Sequence, residues 1–234
     1  RGNPKVAWDA GIISAPLKTA LEKNIKLIFY AEHGENHYGG KILRRDSDKF
    51  RDLNEIYEHV IGDDPKNWID EKVKEKDIIP YSMPKLRELQ KKKIKAYYFA
   101  YFDDWNVSKN FEFIKGKIDF KCDPSGRSPG TFTSYDSLDD HIDSIYYHLQ
   151  LIKFGFGRCW RDASRHIQSG KITIKKALDL IEKYDDEINQ YDLSKTLDFL
   201  KLSRIEFFEI LEDHRNLEIW RETGNKFSLI NKLY

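Results

Sequence analysis

Lys26-Leu27-Ile28-Phe29-Tyr30-Ala31 is a continuous apolar run too short to be a helix. Such a run reads as a strand buried on both faces, the habit of a parallel sheet. Just before it, Ser14 has the chemistry of an N-cap and Pro16 falls where a first helical turn tolerates a missing N–H. Leu17, Ala20 and Leu21 then form the buried stripe of a helix ending near Asn24. The same order recurs further on. A helix begins at Pro84 with Leu86, Leu89 and Gln90, runs into the cations Lys91 to Lys93, and is followed by a second run, Ala96 to Phe102. Helix then strand, twice, is the rhythm of an α/β layer with right-handed crossovers. Both runs are therefore expected in one parallel sheet. Between them, Leu53, Ile56, Tyr57 and Val60 have helical spacing within Asp48 to Ile61.

Asp123-Pro124-Ser125-Gly126-Arg127-Ser128-Pro129-Gly130 is turn-rich and marks a boundary, dividing the chain into 1–122 and 123–234. Beyond it the spacing is helical. Leu138, Ile142, Ile145, Leu149 and Ile152 make one stripe, and Ile174, Ala177, Leu178 and Ile181 another. Ser203 and Glu206 form a capping box ahead of Phe207, Phe208 and Leu211, and Gly224-Asn225 suits a short hairpin. The fold class is α/β: a parallel-sheet layer followed by a helical C-terminal region. With 40% hydrophobic and 34% charged residues, 234 residues suffice for a sizeable core. The net charge of +1 gives no general pull toward nucleic acid or an anionic membrane. No run approaches the roughly 20 apolar residues of a membrane span. Cys122 and Cys159 lie far apart and outside any CxxC pair, so they read as free thiols in a reducing, cytoplasmic compartment. A first residue of Arg1 suggests a fragment or a cleaved product.

Three segments have the residues for chemistry. Glu32 to Gly40 places two carboxylates, two imidazoles and three glycines past the first strand, where open α/β sheets bind ligands. The carboxylates suit magnesium or a substrate hydroxyl; the alternative is a solvated polar loop. His33 and His37 lack the spacing of a zinc protease, because Gly34 stands where its glutamate belongs. Asp103-Asp104-Trp105-Asn106 offers adjacent carboxylates, although Asp104 or Asn106 is better read as the cap of the helix with Phe111 and Ile114. In Lys153-Phe154-Gly155-Phe156-Gly157-Arg158, two glycines break one helix. The next opens among Arg158, Arg161, Ser164 and Arg165, either as an anion site or as a tight turn with solvated arginines. Gly130 to Tyr135 is a hydroxyl-rich loop. His59, His141, His148 and His214 read as core or surface histidines.

These segments, in this order, resemble the C-terminal part of the N-acetyl sugar amidotransferase family of lipopolysaccharide and pseudaminic acid pathways. The residues concerned are Ala10-Gly11-Ile12, Tyr38-Gly39-Gly40, the aromatic run into Trp105-Asn106, Gly130 to Asp139, Lys153 to Arg158 and Asp162-Ala163-Ser164. The resemblance spans essentially the whole chain from Ala10. It implies a domain like the adenine nucleotide alpha hydrolases, of the PP-loop ATP pyrophosphatase type. ATP with Mg2+ would adenylate the N-acetyl oxygen of a sugar. Ammonia from a glutaminase partner, delivered through a synthase-like channelling subunit, would then displace AMP to leave an acetamidino group. The resemblance assigns catalysis to Glu32 and substrate contact to Tyr38, Gly39, Gly40, Trp105, Thr131, Tyr135, Arg158 and Ser164. The Glu32 loop and the Gly155–Ser164 turn would share one pocket for an anionic sugar. Three departures matter. The chain has no SGGxDS phosphate loop, it has Lys5, Trp8 and Asp9 where some members carry Cys-x-x-Cys-His, and it has Ala31-Glu32-His33 in place of GEN. It therefore reads as the sugar-side half of such an enzyme, or as a binding and assembly module that keeps the fold.

Overall fold

The computed structural model describes residues 2–31, 63–103, 106–224 and 226–231. The loop Glu32 to Gly40, the expected helix over Asp48–Ile61, and Trp105 lie outside them. The chain divides into two compact units, Lys5–Trp105, and Arg1–Pro4 with Asn106–Tyr234.

In the first unit, helix α1 spans Val6–Lys23 and ends at Asn24, whose φ of 57° is left-handed. The helix starts well before the expected Ser14, and Pro16 lies inside it. Ser14 does not cap the helix. It is fully buried, and its hydroxyl donates to the Pro80 carbonyl at 2.5 Å, tethering mid-helix to a distant loop. Ala10 and Ile13 pack with Trp68, Tyr81 and Met83. Strand β1 (Leu27–Tyr30) pairs in parallel with β2 (Lys95–Tyr98), Leu27 opposite Lys95 and Tyr30 opposite Tyr98. Two short helices, α2 (Glu75–Ile78) and α3 (Leu86–Lys91), precede β2.

The parallel pairing is as expected, with two corrections. The second run is strand only to Tyr98, because Phe99–Tyr101 turns into a short 3-10 helix. The sheet is also not buried on both faces. Tyr30, Ala96 and Tyr98 cluster with Ile28 on one side, where the Tyr30 hydroxyl bonds the Ile13 carbonyl. On the other, Phe29 is half exposed and meets Tyr97 at 6.0 Å and Phe102 at 5.6 Å, so the aromatic rings shield one another.

In the second unit, α4 (Val107–Lys115) is capped by Asn106, whose Oδ1 accepts from the Lys109 N–H at 3.0 Å. Helix α5 (Ile142–Phe154) stops at Gly155, α6 (Arg158–Gln168) follows at once, and α7 spans Ile174–Tyr184. Then come α8 (Gln190–Leu200) and α9 (Arg204–Asp213). The Ser203–Glu206 capping box forms as the sequence indicates. Strands β3 (Trp220–Thr223) and β4 (Lys226–Leu229) make the antiparallel hairpin expected around Gly224. Ile145, Leu149 and Ile152 of α5 form a core with Leu193, Phe207, Leu211 and Trp220. Each buried aliphatic side chain there contributes about 1.5–3 kcal/mol. The Trp220 indole N–H donates to the Ile152 carbonyl at 2.9 Å, which pins the hairpin to that core. Cys159 and Ala163 of α6 pack on Ala177 and Ile181 of α7.

Candidate functional site

Loop 127–136 folds over the first turns of α6. It is held from three directions. Arg127 makes a two-pronged ion pair with Glu187 at 2.7 Å on each arm, and Glu187 also accepts from the Gly130 N–H at 2.8 Å. Arg127 further stacks over the Tyr184 ring at 4.3 Å. The bond to Arg127 holds the Glu187 carboxyl below its ordinary range. The Thr131 hydroxyl, fully buried, donates to Asp162 Oδ2 at 2.7 Å. Arg158 donates to the Pro129 carbonyl at 3.2 Å and to the Asp136 carbonyl at 2.5 Å.

Asp162 is the hub. Its Oδ1 accepts from Arg161 Nε at 3.1 Å, and Arg158 Nε stands 4.0 Å from its Oδ2. Arg161 also reaches Asp136 Oδ2 at 2.5 Å and donates to the Tyr147 hydroxyl. Burial works against the Arg161 charge, but Asp162, Tyr147 and Asp136 outweigh it and hold the guanidinium protonated. Burial pushes the Tyr147 hydroxyl up to about 12.

The N-terminus of α6 is closed from within. Asp185 accepts from the Gly157 N–H at 2.8 Å and from the Trp160 N–H at 2.9 Å, one on each oxygen. A carboxylate at a helix N-terminus is where the backbone donors and dipole favour an anion. Burial raises the Asp185 carboxyl above its ordinary value, and these amide bonds oppose the shift. The protein's own carboxylate thus fills the position that the GxGR turn offers to a phosphate. Those first-turn donors do not fit ATP phosphates while Asp185 is seated. Among the described residues, no group of three His, Cys, Asp or Glu is placed to hold a metal ion.

Of the residues singled out from the sequence, Thr131, Tyr135, Arg158 and Ser164 all lie on this loop and helix. Arg158 is 2% exposed, so it is a buried clasp on the loop rather than a solvated arginine. Ser164 donates back to the Trp160 carbonyl at 2.9 Å, within its own helix. Tyr135 meets two side chains that the sequence did not flag: its hydroxyl is 3.2 Å from His166 Nε2 and 3.3 Å from Ser108 Oγ. Glu32, Tyr38, Gly39, Gly40 and Trp105 lie outside the described residues, as does the expected pocket shared with Glu32. Asp103 and Asn106 flank the second candidate, where Asn106 acts as the helix cap. His141 bonds Asp192 at 2.8 Å, His148 is buried in α5, and His214 bonds the Ile210 carbonyl at 2.8 Å.

Asp162 was visible only as part of the Asp-Ala-Ser triplet, with no role attached. Asp185 stands in an acidic Asp185-Asp186-Glu187 run, an ordinary sight on a surface. Nothing in its neighbourhood announces that two of the three carboxylates are committed to a helix start and a loop arginine.

Residues 129–234, which include this loop from Pro129 onward, α6 and everything after it, match the family model described as LPS biosynthesis protein WbpG-like, C-terminal domain. The likeness is to a lipopolysaccharide biosynthesis family. No curated protein matches the chain. Among the described residues no helix is long and apolar enough to cross a membrane.

Proposed function

We propose that this chain takes part in making a lipopolysaccharide sugar, as the sugar-handling part of an amidotransferase that turns an N-acetyl group into an acetamidino group. One observation supports this above the rest. The segment that matches a lipopolysaccharide biosynthesis family is the one in which Thr131, Tyr135, Arg158 and Ser164 share one loop and one helix. In the proposed reaction ATP activates the amide oxygen as an adenylate, and ammonia from a glutaminase partner displaces AMP. An amide oxygen leaves poorly and AMP leaves well, which is why such a reaction calls for ATP and Mg2+. The described residues do not supply the nucleotide grip, since Asp185 fills the α6 N-terminus. Their part is to shape and hold the sugar side.

A second reading, a binding and assembly module without catalysis, is favoured by one observation: the guanidiniums of Arg127, Arg158 and Arg161 are all committed to the chain's own oxygens. Deleting the gene in its source cell and weighing the surface sugars tests the first reading. The expected result is an acetamido group where the parent has acetamidino, a mass difference of oxygen against NH. Unchanged sugar masses defeat it. Loss of the acetamidino group that is restored by a Thr131, Tyr135 and Ser164 triple variant favours the module.

A further inference from the structure

Ser108 stands in the first turn of α4, Tyr135 at the end of the loop, and His166 late in α6. Their polar atoms form a triangle, with Ser108 Oγ 3.3 Å from the Tyr135 hydroxyl and 3.2 Å from His166 Nε2, and the Tyr135 hydroxyl 3.2 Å from Nε2. Three such contacts cannot all be separate two-centre hydrogen bonds at once. If Nε2 carries its lone pair, two hydroxyl protons must serve three edges. If Nε2 carries the proton, one hydroxyl proton finds no acceptor within the triangle. An incoming hydroxyl, with one donor and two lone pairs, completes the circuit.

The surroundings fit a sugar better than an ion. The Tyr135 ring lies flat on Phe111, 4.2 Å between centroids, and Phe132 stands edge-on to His166 at 5.0 Å. Burial raises the Tyr135 hydroxyl and lowers the His166 imidazole from their ordinary values, so both are uncharged near neutral pH. Ser108 is buried, whereas Tyr135 and His166 remain partly exposed.

We infer that Ser108, Tyr135 and His166 form a subsite for a hydroxyl group of a sugar, resting on the reading that the chain handles an N-acetyl sugar. The test is NMR of the 15N-labelled chain, following the His166 ring nitrogens during titration with N-acetylglucosamine, with glycerol, and with N-cyclohexylacetamide, an amide without hydroxyls. N-acetylglucosamine is expected to move Nε2, and the amide to leave it in place. Tyr135→Phe, which keeps the ring stack, and Ser108→Ala should each weaken the sugar by about 3–10-fold, with near-ultraviolet circular dichroism unchanged. If the sugar shifts other resonances but not His166, the subsite is refuted and the sugar-handling reading stands. Equal response to glycerol refutes the assignment to a sugar. A spectrum unmoved by saturating sugar overturns the subsite and the reading on which it rests.

Discussion

Arg158 and Asp162 stand one helical turn apart on α6, both almost wholly buried; Arg158 donates to two carbonyls of the loop above, and Asp162 is shared between Thr131 of that loop and Arg161 of its own helix. Removing one member of such a network strands the others in a low dielectric. Arg158→Met is therefore expected to cost about 3–5 kcal/mol in urea unfolding, and Thr131→Val about 1.5–3 kcal/mol for a single bond to a charged group. The Glu187 clasp has a pH signature. Its folded-state value lies below the ordinary one of about 4.3, so the stability it gives is full above that value and is lost as pH falls through the folded value. Melting curves of the parent and Glu187→Gln should differ by an amount equivalent to about 1 kcal/mol at pH 7, Glu187 being partly solvated, and should converge once the pH has fallen through the lowered folded value. A gap that persists at low pH would show that the charge on Glu187 is not what holds Arg127.

The turn between α5 and α6 shows how close approach fixes a residue type. A Cβ on Gly157 would sit 2.9 Å from the Asp185 carbonyl oxygen and 3.0 Å from its Oδ1, so the cap and a side chain cannot share the space. Gly157→Ala is expected to lower stability by about 1–3 kcal/mol and to loosen the first turn of α6, seen as faster amide exchange at Trp160. Gly155 is held differently, by a φ of +79° that ends α5. Both glycines were legible in the sequence as helix breakers. What the break serves was not, because the anion that fills the helix start arrives from Asp185, beyond α7. Local signals misled once more at α1: Ser14 and Pro16 have the residue chemistry of a helix start, yet the serine bonds Pro80 and the helix runs through. Where an element is decided by its own residues, as in the Ser203 capping box or the Gly224 hairpin, sequence and structure agree.

Across the whole molecule, the α/β order was readable because β1 and β2 each lie in a dense apolar run with a helix before it. The contacts of Tyr135 were not, because Ser108 and His166 come from separate helices and follow no spacing rule. The sequence holds no SGGxDS phosphate loop, which leads to a prediction for the entire chain: calorimetry with ATP and magnesium should show no micromolar binding, and a clear micromolar isotherm would overturn it.

The two sheets among the described residues also differ in when they can form. The β3–β4 hairpin joins neighbours across a tight turn, an event of microseconds. The β1–β2 ladder must bring Leu27 to Lys95 across all the chain between them, and the entropy of closing that loop is lost before any ladder bond offsets it. Pulse-labelled hydrogen exchange during refolding should therefore find the amides of Trp220–Thr223 protected first and those of Leu27–Tyr30 last. During that interval Phe29, Tyr97 and Phe102 stand open to other chains, so the slow step is also the one at which dilution decides between recovery and aggregation.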